Sequence, residues 1–219
     1  MYLLIKGGFF MIPILVCSII SLGLIIERFI AYRKARTKFP DFLKEIEPVV
    51  KDGVISEAIA ICKRTRGIIP KIYRIGLENE TKEMKEIMRI VEDEKRTNIV
   101  PGLEKYLPTI YSIYVGAPLL GLLGTVTGMV RCFQSIQMKS VTNQTLSPGD
   151  LAGGIWEALI TTVAGLVVAI PVMFLYEYFQ ARVDKFCIEI DRATSVLYGM
   201  LFMRKEYVLR AGQKDGMDT

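Results

Sequence analysis

Histidine is missing altogether from the 219 residues. Metal sites built on imidazole are therefore excluded, as are Ser-His-Asp and Cys-His nucleophiles. Proton handling is left to carboxylates, hydroxyls and water. Cysteine is scarce and scattered: Cys17, Cys62, Cys132 and Cys187 form no CxxC pair and no ligand spacing, so neither a disulfide framework nor a metal cluster is indicated. Charge is absent from three long stretches, although the whole chain carries a net +5 and is 51% hydrophobic. A soluble domain distributes a similar apolar fraction among amphipathic elements. Segregation into uncharged runs marks an integral membrane protein.

The first run, Phe9 to Ile26, holds 18 residues without charge, near the ~20 needed to cross a ~30 Å hydrocarbon core. As a signal peptide its apolar region is too long, no A-x-A site follows, and Glu27-Arg28 closes it directly. It is read as a span. Tyr106 to Val130 and Ala158 to Tyr176 are also uncharged, the latter roughly 28 Å long as a helix. Three spans place the termini on opposite sides. Lys6 alone precedes the first span, whereas Arg28, Arg33, Lys34, Arg36 and Lys38 follow it, so the basic-residue rule puts the N-terminus outside. Arg131 and Lys139 in the second loop, and Arg182 and Lys185 after the third span, agree.

The expected organisation is all-α, a three-span integral membrane protein whose long helices extend into a cytoplasmic helical domain. Residues 1–8 form a periplasmic N-terminus, 9–30 the first span, 31–105 the cytoplasmic helical domain, 106–137 the second span, 138–147 a periplasmic loop, 148–179 the third span and 180–219 a cytoplasmic C-terminal helix and tail. Gly53, Gly67, Pro70 and Gly76 are expected to break the cytoplasmic domain into short helices, with Ser56 an N-cap. Met84, Ile87, Met88 and Val91 predict an amphipathic helix. Val183, Phe186, Ile190, Leu197 and Leu201 continue a helical stripe beyond span three. No strand pattern, repeat or low-complexity tract is present. The basic excess is interleaved with acids rather than gathered on one face, which argues against nucleic acid as a partner.

Spans two and three each carry one small-residue face. Span two contains Gly116, Ala117, Gly121, Gly124 and Gly128, with Ala117, Gly121, Gly124 and Gly128 gathered on one side and Thr125 at its edge. Thr127 points elsewhere. In span three Glu157, Ala158, Thr161, Thr162, Gly165 and Ala169 occupy a sector of about 140°, opposite Leu159, Val163, Leu166, Val167 and Ile170. Small residues let membrane helices approach closely; the hydroxyls can bond back to carbonyls one turn earlier or line a hydrated lumen. Ser147-Pro148-Gly149-Asp150 reads as the start of the third-span helix. Glu157 is the single ionisable side chain that a span could contain, and such residues are costly unless they face a cavity or a bundle interior. Its other reading is a place in the headgroup layer. No aspartate or histidine stands at mid-depth, so the titratable group of any proton path has to come from another polypeptide.

Ala117-Pro-Leu-Leu-Gly-Leu-Leu-Gly-Thr-Val-Thr-Gly-Met129 and Gly154-Ile-Trp-Glu-Ala-Leu-Ile-Thr-Thr-Val-Ala-Gly-Leu-Val-Val-Ala-Ile-Pro171 closely resemble the two signature spans of the ExbB/TolQ/MotA proton-channel family. Three spans rather than four resemble its ExbB and TolQ branch. The resemblance implies a homo-oligomer in the bilayer of the bacterial inner membrane, a pentamer in ExbB-like members. It implies single-span partners of the ExbD or TolR type carrying a transmembrane aspartate, and a TonB-like or TolA-like protein receiving the work. Thr125, Thr161, Thr162 and Glu157 would line the proton pathway; Gly116, Ala117, Gly121, Gly124, Gly128, Gly165 and Ala169 would serve helix packing. Thr127 departs from the tryptophan that many members carry there. Neither cofactor nor metal is implied, and no enzyme constellation is present. The function implied is an ExbB-like subunit that uses the proton motive force to energise TonB-dependent transport. The alternatives are a TolQ-like subunit of the Tol-Pal system and a non-conducting scaffold.

Overall fold

The structure, a computed structural model, describes residues 8–141 and 148–215. The expected periplasmic residues 1–7, the loop from 142 to 147 with its Ser147 cap, and residues 216–219 lie outside them. Every element among the described residues is helical: α1 Met11–Ala35, α2 Phe39–Lys51, α3 Ile55–Arg64, α4 Ile68–Glu78, α5 Met84–Glu94, a π-helical turn Lys95–Ile99, α6 Val100–Glu104, α7 Leu107–Val141 and α8 Pro148–Asp215. Three of them, α1, α7 and α8, contain stretches long and apolar enough to cross a membrane. This is an all-α integral membrane protein.

The chain divides into two units, Met1–Arg28 with Tyr106–Gln180, and Phe29–Lys105 with Ala181–Thr219. In the first, α1 turns Ile14, Ser21, Ile25 and Arg28 inward and leaves Ile12, Val16, Ile19, Leu22 and Ile26 exposed, as a helix bordered by lipid does. Arg28 is a buried cation, 3% exposed. Its guanidinium donates to both carboxylate oxygens of Glu27, at 2.6 and 2.8 Å, and lies 5.3 Å from the ring centroid of Tyr106. Tyr106 holds φ +67, a backbone region uncommon for residues with a Cβ, and separates α6 from α7. The helix that carries span two begins at Leu107 and continues through Val141.

In the second unit large side chains form the core: Ile46, Ile72, Tyr73, Leu77, Ile87, Ile190, Leu197 and Leu201 are fully buried. Phe42 meets Tyr73 edge to face, ring centroids 5.2 Å apart. The stripe Val183, Phe186, Ile190, Leu197 and Leu201 is buried along α8, which stays helical from Pro148 to Asp215. In α5 the buried stripe narrows to Ile87 and Val91, and Met88 is exposed.

The expected breaks are only half present. Gly53 lies in the turn after α2 and Gly67 is the N-cap of α4, with φ of +82 and +130 that a side chain would resist. Pro70 instead sits in the first turn of α4, where its missing N–H has no intrahelical acceptor to lose. Gly76 lies inside α4 because it faces Leu197: a Cβ there would come within 2.7 Å of a leucine methyl. Ser56 falls within the first turn of α3. Val54 occupies the N-cap position without a side-chain cap bond, because the turn at Gly53 and the Val54 N–H donated to Val49 O at 3.2 Å set the start of the helix.

Candidate functional site

The site is built on the α7–α8 hairpin of the first unit. Ala117, Gly121, Gly124, Gly128 and Cys132 are buried along α7, and Ala158, Thr161, Gly165 and Ala169 along α8. At Gly121 and Gly165 backbone meets backbone, and at Gly124 and Gly128 backbone meets a short side chain. A Cβ on Gly121 would stand 2.8 Å from Thr161 O and 2.9 Å from Thr162 Cα. One on Gly165 would stand 2.6 Å from Ala117 O, and one on Gly124 would meet Thr161 Oγ1 at 2.5 Å. Gly128 faces Ala158 at 3.1 Å. In lipid, where hydrocarbon surrounds the helices anyway, such contact dispersion supplies the association energy. Gly116 is different: nothing lies within 4 Å of a Cβ placed there, so it contributes nothing to this face. Gly154 and Cys132 were passed over in the sequence and belong to it, a Gly154 Cβ lying 2.7 Å from that of Cys132. Continuing the α7 stripe by one more turn from Gly128 reaches Cys132.

The three threonines have different surroundings. Thr161 is 2% exposed, donates to Ala158 O at 2.7 Å and lies 3.3 Å from Gly121 O. It is sealed between the helices. Thr162, half-buried, reaches across the hairpin to the same Gly121 carbonyl at 3.1 Å. Thr125, also half-buried, donates to Leu122 O in its own helix at 2.7 Å. Since Thr162 sits beside Gly121 and Thr125 follows Gly121 by four residues, the two hydroxyls are about one helical turn, ~6 Å, apart in depth. Each keeps oxygen lone pairs with which to accept from water or from an acid. Thr127 bonds back to Leu123 O and Gly124 O at 2.9 and 3.1 Å.

Glu157 does not join these hydroxyls. Five residues before Thr162, it projects about 140° away around α8 and pairs with Arg131 of α7 at 3.8 Å. A Cβ on Gly8, ahead of α1, would collide with its carboxylate. Glu157 and the Thr125–Thr162 pair thus occupy opposite edges of one hairpin, and the partner Arg131 had been counted in the sequence only as a topological charge. Tyr111, Tyr114 and Tyr176 form a further cluster, with ring centroids 5.1 to 5.6 Å apart. Their signal was present in the sequence: Tyr114 is eleven residues before Thr125, which returns it to within about 20° of that azimuth. Among the described residues no group of His, Cys, Asp or Glu is placed to hold a metal ion.

A polytopic helical membrane protein with hydroxyls on the edge of a glycine-packed hairpin has the make-up of a channel or motor subunit. Residues 64–192 match the MotA/TolQ/ExbB proton channel family, and the chain belongs to that family. Among its relatives, an ExbB-like biopolymer transport protein of Synechocystis sp. is 30% identical over 176 residues, 80% of this chain and 82% of that protein. An ExbB homologue of Methanothermobacter thermautotrophicus is 32% identical over 162 residues, 72% of this chain and 53% of that protein, so the chain spans about half of that relative's length. The Tol-Pal system protein TolQ of Haemophilus influenzae is 34% identical over 110 residues, 47% of this chain and 45% of that protein.

Proposed function

We propose that this protein is the lumen-forming subunit of an inner-membrane motor of the ExbB kind, working with a single-span subunit of the ExbD or TolR type and passing the work to a TonB-like protein. In this reading the N-terminus is periplasmic, the C-terminus cytoplasmic, and copies of the chain assemble, as a pentamer, around the partner helices. The observation that carries it is the edge of the hairpin bearing Thr125 and Thr162. Their oxygens stand about one turn apart in depth, both half-buried and donating to backbone carbonyls, with lone pairs able to accept. Thr161, sealed in the packing face, serves here as a spacer between helices. Glu157, held by Arg131, is the carboxylate of the outer mouth rather than a member of the threonine layer.

The mechanism follows from desolvation. A carboxylate carried by the partner helix is costly to bury while ionised and far less so when neutral. A proton arriving from the periplasmic side neutralises it beside the threonine hydroxyls and lets it move past the apolar wall; release to the cytoplasm restores the charge and the barrier. Alternation of the two states turns proton flow into relative motion of ring and partner.

Thr125→Val together with Thr162→Val keeps side-chain shape and removes both hydroxyls. In vesicles containing the chain and its co-expressed partner, this variant should assemble normally while potential-driven proton flux falls to background. Unchanged flux would leave the assembly as a scaffold. The TolQ relatives support a second output branch, Tol-Pal envelope maintenance. Deleting the chromosomal copy separates the two: loss of TonB-dependent uptake marks the first branch, detergent sensitivity and chaining of cells the second.

A further inference from the structure

Three tyrosines prolong the hydroxyl edge toward the end of the hairpin remote from Glu157. Tyr111 and Tyr114 stand on α7 and Tyr176 on α8, with centroid separations of 5.1 Å for Tyr111–Tyr114, 5.6 Å for Tyr111–Tyr176 and 5.4 Å for Tyr114–Tyr176. At about 100° per residue, Tyr114 and Tyr111 fall within about 20° and 40° of Thr125 around α7, and Tyr176 within about 40° of Thr162 around α8. Tyr114 lies about 16 Å along α7 from Thr125, and Tyr176 about 21 Å along α8 from Thr162.

An interfacial aromatic belt would place such rings on the lipid side; Tyr111 shares the azimuth of the exposed Leu122 around α7, but Tyr114 stands more than about 100° from the exposed Leu119 and Val126. These rings instead close on one another across the hairpin. Tyr111 is 46% exposed in the single chain, and exposed Glu177 directly follows Tyr176. The order along this edge is threonine hydroxyls, three phenols, then a carboxylate.

We propose that Tyr111, Tyr114 and Tyr176 form the inner exit of the lumen, a phenolic collar that hands protons from the threonine layer to the cytoplasmic surface; this rests on the reading of Thr125 and Thr162 as lumen residues. A phenol is both donor and acceptor. Its oxygen takes a proton from water on the lumen side as its own O–H proton leaves to water beyond, so no charge remains on the ring and no oxidant or reductant takes part. Each copy in a ring would contribute one such trio.

The test uses the assembled complex in vesicles with a pH-sensitive dye under an imposed potential. The triple variant Tyr111→Phe, Tyr114→Phe, Tyr176→Phe keeps all three rings. Its flux should fall about tenfold with the assembly size unchanged on native gels, and restoring Tyr176 alone should recover part of the loss. Undiminished flux in the triple variant, in vesicles where Thr125→Val with Thr162→Val abolishes it, overturns the collar and leaves the lumen reading intact. If the threonine variant also conducts normally, the lumen reading itself fails. Should the triple variant not assemble, Tyr176→Phe alone must still lower flux severalfold; normal flux in that single variant overturns the collar equally.

Discussion

The helices of the first unit meet through glycine, alanine and threonine, backbone against backbone, whereas those of the second meet through Ile46, Ile72, Tyr73, Leu77 and Leu197, side chain against side chain. In lipid an exposed leucine loses nothing by staying outside, so Leu119, Leu122, Leu159 and Val167 face outward, and association relies on close approach. Where water borders the helices, burying large apolar side chains is the main driving term. The two interiors thus fail in opposite ways: the first is broken by adding atoms, the second by removing them.

The largest expected effect is at Gly121. With main-chain atoms of Thr161 and Thr162 within 2.9 Å of an added Cβ, Gly121→Ala has to push the helices apart and should cost about 3 kcal/mol, read as a lowered melting temperature in detergent. Gly116→Ala, facing open space, should instead stabilise by about 0.5 kcal/mol through helix propensity. Equal effects at the two positions would dissolve the contrast drawn above.

Burial raises the Cys62 thiol to about 12. At pH 8 a thiol-directed reagent should therefore label Cys62 at least about tenfold more slowly in the folded protein than after denaturation; fast labelling would mean that the second unit opens locally.

Tyr73 tests how dry the second interior is. Its hydroxyl is buried without a hydrogen-bond partner, so Tyr73→Phe should leave stability unchanged or raise it by about 1 kcal/mol. A clear loss in urea or thermal unfolding would identify a bound water as its partner.

The smallest effect belongs to the ion pair Lys71–Glu94, at 2.7 Å. Hydrogen bonds from Lys71 and Asn98 hold the Glu94 carboxyl below its ordinary range. A folded-state value below the unfolded one means that the contribution is complete at neutral pH and is lost as the pH falls through the carboxylate range. Glu94→Gln should remove under about 1 kcal/mol at pH 7, and the wild-type advantage should vanish on acidification. An advantage that grows in acid would reverse the sign and refute the assignment.

Much of this was legible in the chain. Uncharged runs announce spans, because charge in hydrocarbon is costly wherever it falls, and the spacing of Ala117, Gly121, Gly124 and Gly128 by four, three and four residues announces a packing face whatever lies opposite. Pro70 and Gly76 misled as helix breaks because their local preferences were outweighed, one by its place in a first turn and the other by Leu197. Glu157 and Thr162 share one small-residue sector of α8, and five residues of helical rotation set them at its two edges.

Composition and periodicity alone determined the class of the protein, its three apolar helices, the glycine stripe and the absence of imidazole chemistry, since each depends on how a residue partitions or repeats. Only the tertiary structure decided that Thr161 is sealed while Thr162 reaches Gly121, that Arg131 claims Glu157, and that three tyrosines from two helices converge. Those outcomes turn on which carbonyl, cation or ring stands within a few ångströms, a distance that pattern along one helix cannot specify.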